Sequence, residues 1–211
     1  TLIDNNALHV LAWQRAFRRC GLHLDVPTIL HKLGMGGDKF VADVLGSGTS
    51  DKAYTVQVAH SEEYSAKGLI DHAEPLPGAV ALLRALKERG VRTALASSAK
   101  PEEADRSLAQ LGGSASVDVL VSSADAAATK PDPDIFATAL EKLGQPEQAL
   151  VLGDTVYDIA SARTLHLPCV CVLSGGIERA VLEDAGAAAI YQDAADVLRH
   201  LDAVLALLQR R

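Results

Sequence analysis

The chain has 211 residues, of which 48% are hydrophobic and 22% charged, with only 4% aromatic and a formal net charge of −7. This length and balance suit one good-sized globular domain, or a domain carrying a sizeable insertion, and exclude disordered and collagen-like chains. The acidic charge opposes nucleic acid and anionic membrane surfaces, so small partners are expected, and an anionic one needs a local cation, a metal or backbone N–H groups to bind.

No apolar run approaches the roughly 20 residues that span a bilayer, and the opening segment lacks the basic-then-apolar layout of a signal peptide, so a cytoplasmic protein is expected. The three cysteines are Cys20, Cys169 and Cys171. A strand over CVCV would send the last two thiols the same way with no histidine near in sequence, so both are expected to be buried and reduced.

The chain opens with TLIDNNALHVLAW, a polar loop-like run that feeds straight into an apolar helical pattern. Leu8, Leu11, Ala12, Ala16 and Cys20 fall close to helical spacing before Gly21, which can end the helix. Further helices are predicted over 26–33, 39–46 and 51–67, with GMGG at 34–37 as a turn. No strand signal appears in this part. Pro75, Pro77 and Gly78 then punctuate the chain and its rhythm changes.

A helix over 79–89 leads to the strand VRTALAS, and one over 102–111 to VDVLVSS. Helices over 134–143 and 158–165 lead to ALVLGD and PCVCVLS respectively, in the same alternation. A last helix, a short strand near 188–191 and a terminal helix over 194–209 complete the chain. Strands alternating with helices of this length imply parallel pairing with right-handed crossovers, an α/β fold built on a doubly wound, Rossmann-like parallel sheet. Ligands of such sheets bind beyond the carboxyl ends of the strands.

Three of those ends carry chemistry. The first has Ser97 and Ser98 followed by Lys100, where a hydroxyl and the start of the helix opened by Pro101 can face an anion, or a serine can simply cap that helix. After the second comes ATKPDPDIF, in which Lys130 is either a solvated loop residue or a point charge set beside the same sheet edge. The third, VLGDTVYDIASAR, delivers Asp154 directly after Gly153, with Asp158 four residues on where a helix begins. Two carboxylates this close repel unless a cation or hydrogen-bond donors hold them, and the pair suits magnesium. The bland alternative makes Asp158 a helix cap and Asp154 a turn residue. A hydroxyl, an ammonium and an acidic pair at parallel-strand ends are the parts of phosphoryl transfer, which relies on positioning and charge neutralisation. No G-x-S-x-G elbow is present, so a serine hydrolase is not expected.

These residues resemble the haloacid-dehalogenase-like hydrolase superfamily, in its subgroup with a helical cap inserted after the first strand. The superfamily pattern is an Asp-x-Asp-Gly-Thr-Leu run, a serine or threonine ending the next core strand, a lysine before a proline, and a Gly-Asp-x-x-x-Asp run. Ser97, Lys130 with Pro131, and Gly153 with Asp154 and Asp158 match the last three, and Thr1 and Leu2 look like the tail of the first. The resemblance implies a core formed by 1–3 and 73–211 and an all-α cap over 4–72, hinged near 1–4 and 72–77. It further implies that the nucleophilic and acid–base aspartates lie just upstream of Thr1, and that the chain without them is inert.

By the same resemblance, Ser97 and Lys130 are catalytic, Asp154 and Asp158 hold Mg2+, and Ser98, Lys100, His9, Gly37 and Lys39 contact a small phosphorylated metabolite. The run GDTVYDIASAR is similar to that of phosphoglycolate-phosphatase-like members, which implies a phosphate monoester hydrolase acting through an aspartyl-phosphate. Asp4, His9 and Trp13 instead resemble the cap helix of β-phosphoglucomutase-like proteins, which keeps a sugar phosphomutase open. Otherwise His9 reads as a histidine beside the apolar stripe of its helix. A dehalogenase needs no magnesium and leaves the acidic pair unexplained, while a non-catalytic binding or regulatory protein on the same fold would leave Ser97, Lys130 and Asp154 without a purpose.

Overall fold

Two compact units divide the chain in a computed structural model that describes residues 1–46 and 50–209: Thr1–Ile3 with Pro75–Arg211, and Asp4–Glu74. The two passages between them, β1 (Ile3–Asp4) and β2 (Glu74–Pro75), pair as a two-stranded ladder.

The unit Asp4–Glu74 holds α1 (Asn6–Arg19), α2 (Val26–Leu30), α3 (Gly37–Leu45) and α4 (Ser50–Ser61). Helix α1 forms because Val10, Trp13 and Phe17 recur at helical spacing and bury one stripe, with Ala12 and Ala16 beside it. That stripe packs with Ile29, Phe40, Val41 and Val56 from the other three helices into one core. Asp25 caps α2 by accepting from the Thr28 N–H at 2.8 Å, with Pro27 in the first turn. The predicted helix over 26–33 is shorter than expected and stops at Leu30. The one over 51–67 turns π-helical at Glu62–Ala66, where buried Glu63 ion-pairs with Arg15, Arg19 and Lys67.

In the larger unit the elements run α5 (Ala79–Glu88), β3 (Ala94–Ala96), α6 (Pro101–Gln110), β4 (Val119–Val121), α7 (Asp134–Lys142) and β5 (Val151–Gly153). They continue with α8 (Val156–Thr164), β6 (Cys169–Val172), α9 (Arg179–Ala185), β7 (Ala189–Tyr191), α10 (Ala194–Arg199) and α11 (Leu201–Ala206). The predicted terminal helix is thus divided, with His200 closing α10 and opening α11. Helix α10 packs on α5, and the approach is close: a Cβ on Gly78, which opens α5 at φ +82°, would stand 2.5 Å from the Ala195 backbone.

The strands are parallel, as the alternation predicts, and those described pair as β3-β4 and β5-β6-β7. Ladder β3-β4 sets Ala94 opposite Val119 and Ala96 opposite Val121; ladder β5-β6-β7 sets Gly153 opposite Cys171 and Val172 opposite Tyr191. Among the described residues, no strand pairs with both β3 and β5. Val121, Ile135, Phe136, Val151, Cys171 and Leu182 form a single core, against which Ala94, Ala96 and Val119 pack. Cys169 and Cys171 face the same way, with Sγ atoms 3.8 Å apart, buried and not disulfide-bonded. The neighbouring Cys171 thiol and then burial push the Cys169 thiol far up from its ordinary value. Among the described residues no helix is long and apolar enough to cross a membrane.

Candidate active site

The carboxyl end of β5 turns sharply into α8, and this turn organises the site. Thr155 caps α8: its Oγ1 accepts from the Asp158 N–H at 3.3 Å, while Asp158 Oδ2 accepts from the Thr155 N–H at 3.1 Å. The same Oδ2 accepts from the Thr155 hydroxyl at 2.7 Å and from the Asp154 N–H at 3.2 Å. The turn is tight enough that a Cβ on Gly153 would stand 2.5 Å from the Asp158 Cβ, which is why glycine precedes Asp154.

The other oxygen, Asp158 Oδ1, meets Lys130 Nζ at 2.8 Å. Lys130 is anchored at both ends: its backbone N–H donates to Ser98 Oγ at 3.3 Å, and its ammonium lies 5.6 Å from the centre of the Phe136 ring. The bond between Lys130 and Pro131 is cis. Burial works against the Lys130 charge, but the Asp158 and Asp154 carboxylates outweigh it and raise its pKa above the ordinary lysine value. Burial likewise opposes charge on Asp158, yet Lys130, the Thr155 hydroxyl and the Asp154 N–H hold it below the usual carboxylate range. The signs are complementary. Asp158 contributes stability above its unfolded pKa that is lost as pH falls through its lowered value; Lys130 contributes stability below its unfolded pKa that is lost as pH rises through its raised one. The pair is therefore ionised throughout the neutral range.

Asp154 is 6% exposed, and its Oδ1 accepts from the Thr1 hydroxyl and lies 3.0 Å from the Thr1 amino group. The start of the chain and three strand-end segments thus converge within one unit, from Ser98 through Lys130 and Asp158 to Asp154. Ser97 is placed differently. Its N–H donates to the Val121 carbonyl at 2.9 Å, prolonging the β3-β4 ladder, and its hydroxyl accepts from the Ala99 N–H at 3.1 Å. Lys100 is exposed at the start of α6.

Among the described residues, no three or more His, Cys, Asp or Glu side chains form a ready metal cluster. A magnesium ion does not require one, since it is held by one or two carboxylates together with waters and substrate phosphate oxygens. Buried Asp154 fits as one such hard oxygen ligand. Asp158, expected as another, has both oxygens engaged by protein donors and serves the turn and Lys130 together.

His9, Gly37 and Lys39 lie in the helical unit Asp4–Glu74. His9 stacks on Tyr64 with centroids 3.9 Å apart and on His60 at 5.5 Å, and its Nδ1 is 3.4 Å from His60 Nε2. Gly37 lets α3 begin against Trp13, whose ring atoms would stand 3.2 and 3.3 Å from an added Cβ. Lys39 is half-buried on α3. Burial lowers the His9 pKa from 6.5 to about 4, so its neutral form favours the folded state. That contribution is present above about pH 6.5 and is lost as pH falls towards 4, an expected share of about 3 kcal/mol. Urea unfolding of the protein and of His9→Phe, which keeps a stacking ring, should show a steeper acid loss for the former; parallel pH profiles would count against the assignment.

Thr155 and Gly175 contribute to the site without having stood out in the sequence. Thr155 had a legible signal, the Thr-x-x-Asp spacing of a capping box. Gly175 had none, because its role is a contact with Asp154 from another strand end.

The haloacid dehalogenase-like hydrolase family model matches residues 1–166. The validoxylamine A 7'-phosphate phosphatase of Streptomyces hygroscopicus subsp. limoneus is 31% identical over 173 residues, which cover 81% of this chain and 80% of that protein. A phosphoglycolate phosphatase of Rhodospirillum rubrum is 31% identical over 183 residues, covering 82% and 75% respectively. The crystal structure of a hydrolase from Pseudomonas syringae superimposes with a TM-score of 0.86 at 32% identity, over 97% of this chain and 94% of that one. With a match that runs through Lys130, Asp154 and Asp158, and with relatives aligned over most of their length, the chain belongs to the haloacid dehalogenase-like hydrolase family.

Proposed function

We propose that this protein is a magnesium-dependent phosphatase that hydrolyses a small phosphate monoester through an aspartyl-phosphate. The observation that carries the reading is the buried Lys130–Asp158 ion pair set beside Asp154. A lysine kept charged by a buried carboxylate neutralises a phosphoryl oxygen without having to be protonated during the reaction. Asp158 orients Lys130 and braces the Asp154 backbone. Ser98 braces the Lys130 backbone, and Ser97 at the same strand end is the hydroxyl assigned to the phosphate.

Asp154 would hold the magnesium ion, which supplies charge neutralisation at the phosphate when bound. The nucleophile is assigned to an aspartate upstream of Thr1, with the acid–base aspartate two residues after it. Successive Cα atoms are about 3.8 Å apart, so residues shortly before Thr1 would start from beside Asp154, which the Thr1 amino group touches. The aspartate carboxylate attacks phosphorus and the ester oxygen leaves with a proton from the second aspartate; water, deprotonated by that same group, then releases inorganic phosphate. The helical unit Asp4–Glu74 is read as the cap, with His9, Gly37 and Lys39 among its substrate-selecting residues.

The reading is tested with p-nitrophenyl phosphate, phosphoglycolate, hexose phosphates and nucleotides, using the protein at its natural length with magnesium and with EDTA. Metal-dependent release of inorganic phosphate is expected, and Asn in place of the first upstream aspartate should abolish it. Absence of turnover on every ester in both conditions would indicate a non-catalytic protein instead.

A further inference from the structure

We propose that Gly175 is a positioning residue for Asp154: its missing side chain lets the turn after β6 close against the carboxylate and fix it in place for the metal. The inference rests on the magnesium reading above. A Cβ built on Gly175 would lie 2.2 Å from Asp154 Oδ2, 2.6 Å from its Cβ and 2.8 Å from its Cγ, separations that no side chain accepts without displacing the carboxylate.

Backbone conformation is not the reason for this glycine. Gly176 takes φ +84°, whereas Gly175 is absent from the positive-φ residues, so an L-residue could adopt its backbone but could not occupy the space. Gly175 is buried and faces Asp154 Oδ2, while Asp154 Oδ1 accepts from the Thr1 hydroxyl. The carboxylate is thereby held from two elements far apart in sequence, in addition to the turn that carries it. A carboxylate fixed in this way presents its oxygens to a cation with little reorganisation, and groups that orient a metal ligand are typically worth about 10- to 100-fold in metal affinity.

The test is Gly175→Ala in the protein at its natural length. Magnesium affinity by titration calorimetry is expected to weaken about tenfold. In EDTA the variant should unfold cooperatively with Tm lower by about 5 °C. Because the clash is with Asp154 itself, the Tm loss should largely vanish when Gly175→Ala is made on an Asp154→Gly background, a coupling that needs neither metal nor activity to observe. Unchanged magnesium affinity in Gly175→Ala, or an equal Tm loss on both backgrounds, would overturn the positioning role. No saturable magnesium binding by the unsubstituted protein would overturn the metal reading beneath it, and the two failures are told apart by which protein shows them.

Discussion

Lys130→Ala is expected to lower kcat/KM by about a thousandfold, the scale on which a lost charge-stabilising group acts in the transition state. The variant also leaves Asp158, whose side chain is 4% exposed, without its cation. Removing one member of a buried pair costs about 3–5 kcal/mol, and the lower end applies here because three donors from Thr155 and Asp154 still satisfy Asp158 Oδ2. A Tm drop of about 6–12 °C follows for a chain of this size. Stability and catalysis are separated by the double variant Lys130→Met with Asp158→Asn, which removes both charges and keeps the volumes similar. It should recover most of the lost Tm and none of the activity. Recovery of turnover together with Tm would show Lys130 to be a structural residue only, and full turnover in Lys130→Ala would remove it from the reaction altogether.

Asp154→Asn is expected to be as damaging to turnover, by about a thousandfold, through loss of the one carboxylate assigned to the metal. Its effect on folding should be small and of a different kind. The amide is isosteric, the Asp154 backbone N–H still donates to Asp158, and Asp154 is not the main counter-ion of Lys130. The diagnostic reading is the magnesium dependence: residual activity should no longer rise when magnesium is added, and the metal should cease to raise Tm, since a ligand stabilises only the state that binds it. A variant that retains the magnesium response in Tm would place the ion elsewhere. The two variants thus fail differently, Lys130→Ala in stability as well as rate and Asp154→Asn in rate and metal response.

How much of this was legible in the sequence follows from where each feature is encoded. The order of strands and helices was, because a buried face repeats along the chain with a period that local residues display. The turn from β5 into α8 was also legible in outline: Gly153, Asp154 and Asp158 are close in sequence, and the reading of Asp158 as a helix cap is met by the capping box it forms with Thr155. Element ends were less so. The helix begun at Val26 stops at Leu30, and the terminal helix divides at His200, at places where no glycine or proline marks the change.

The chain's own residues determined an α/β architecture, parallel strands, and serine, lysine and aspartate at strand ends, since these depend on spacing and residue type within short segments. Tertiary structure alone decided that Ser98 supports the Lys130 backbone while the Ser97 hydroxyl closes its own turn, and that Asp158 faces Lys130 across 28 positions of sequence. It also decided that Gly175 is small for the sake of Asp154. Contacts between distant segments depend on the packing of the whole unit, and no local periodicity records which side chain a strand end will meet.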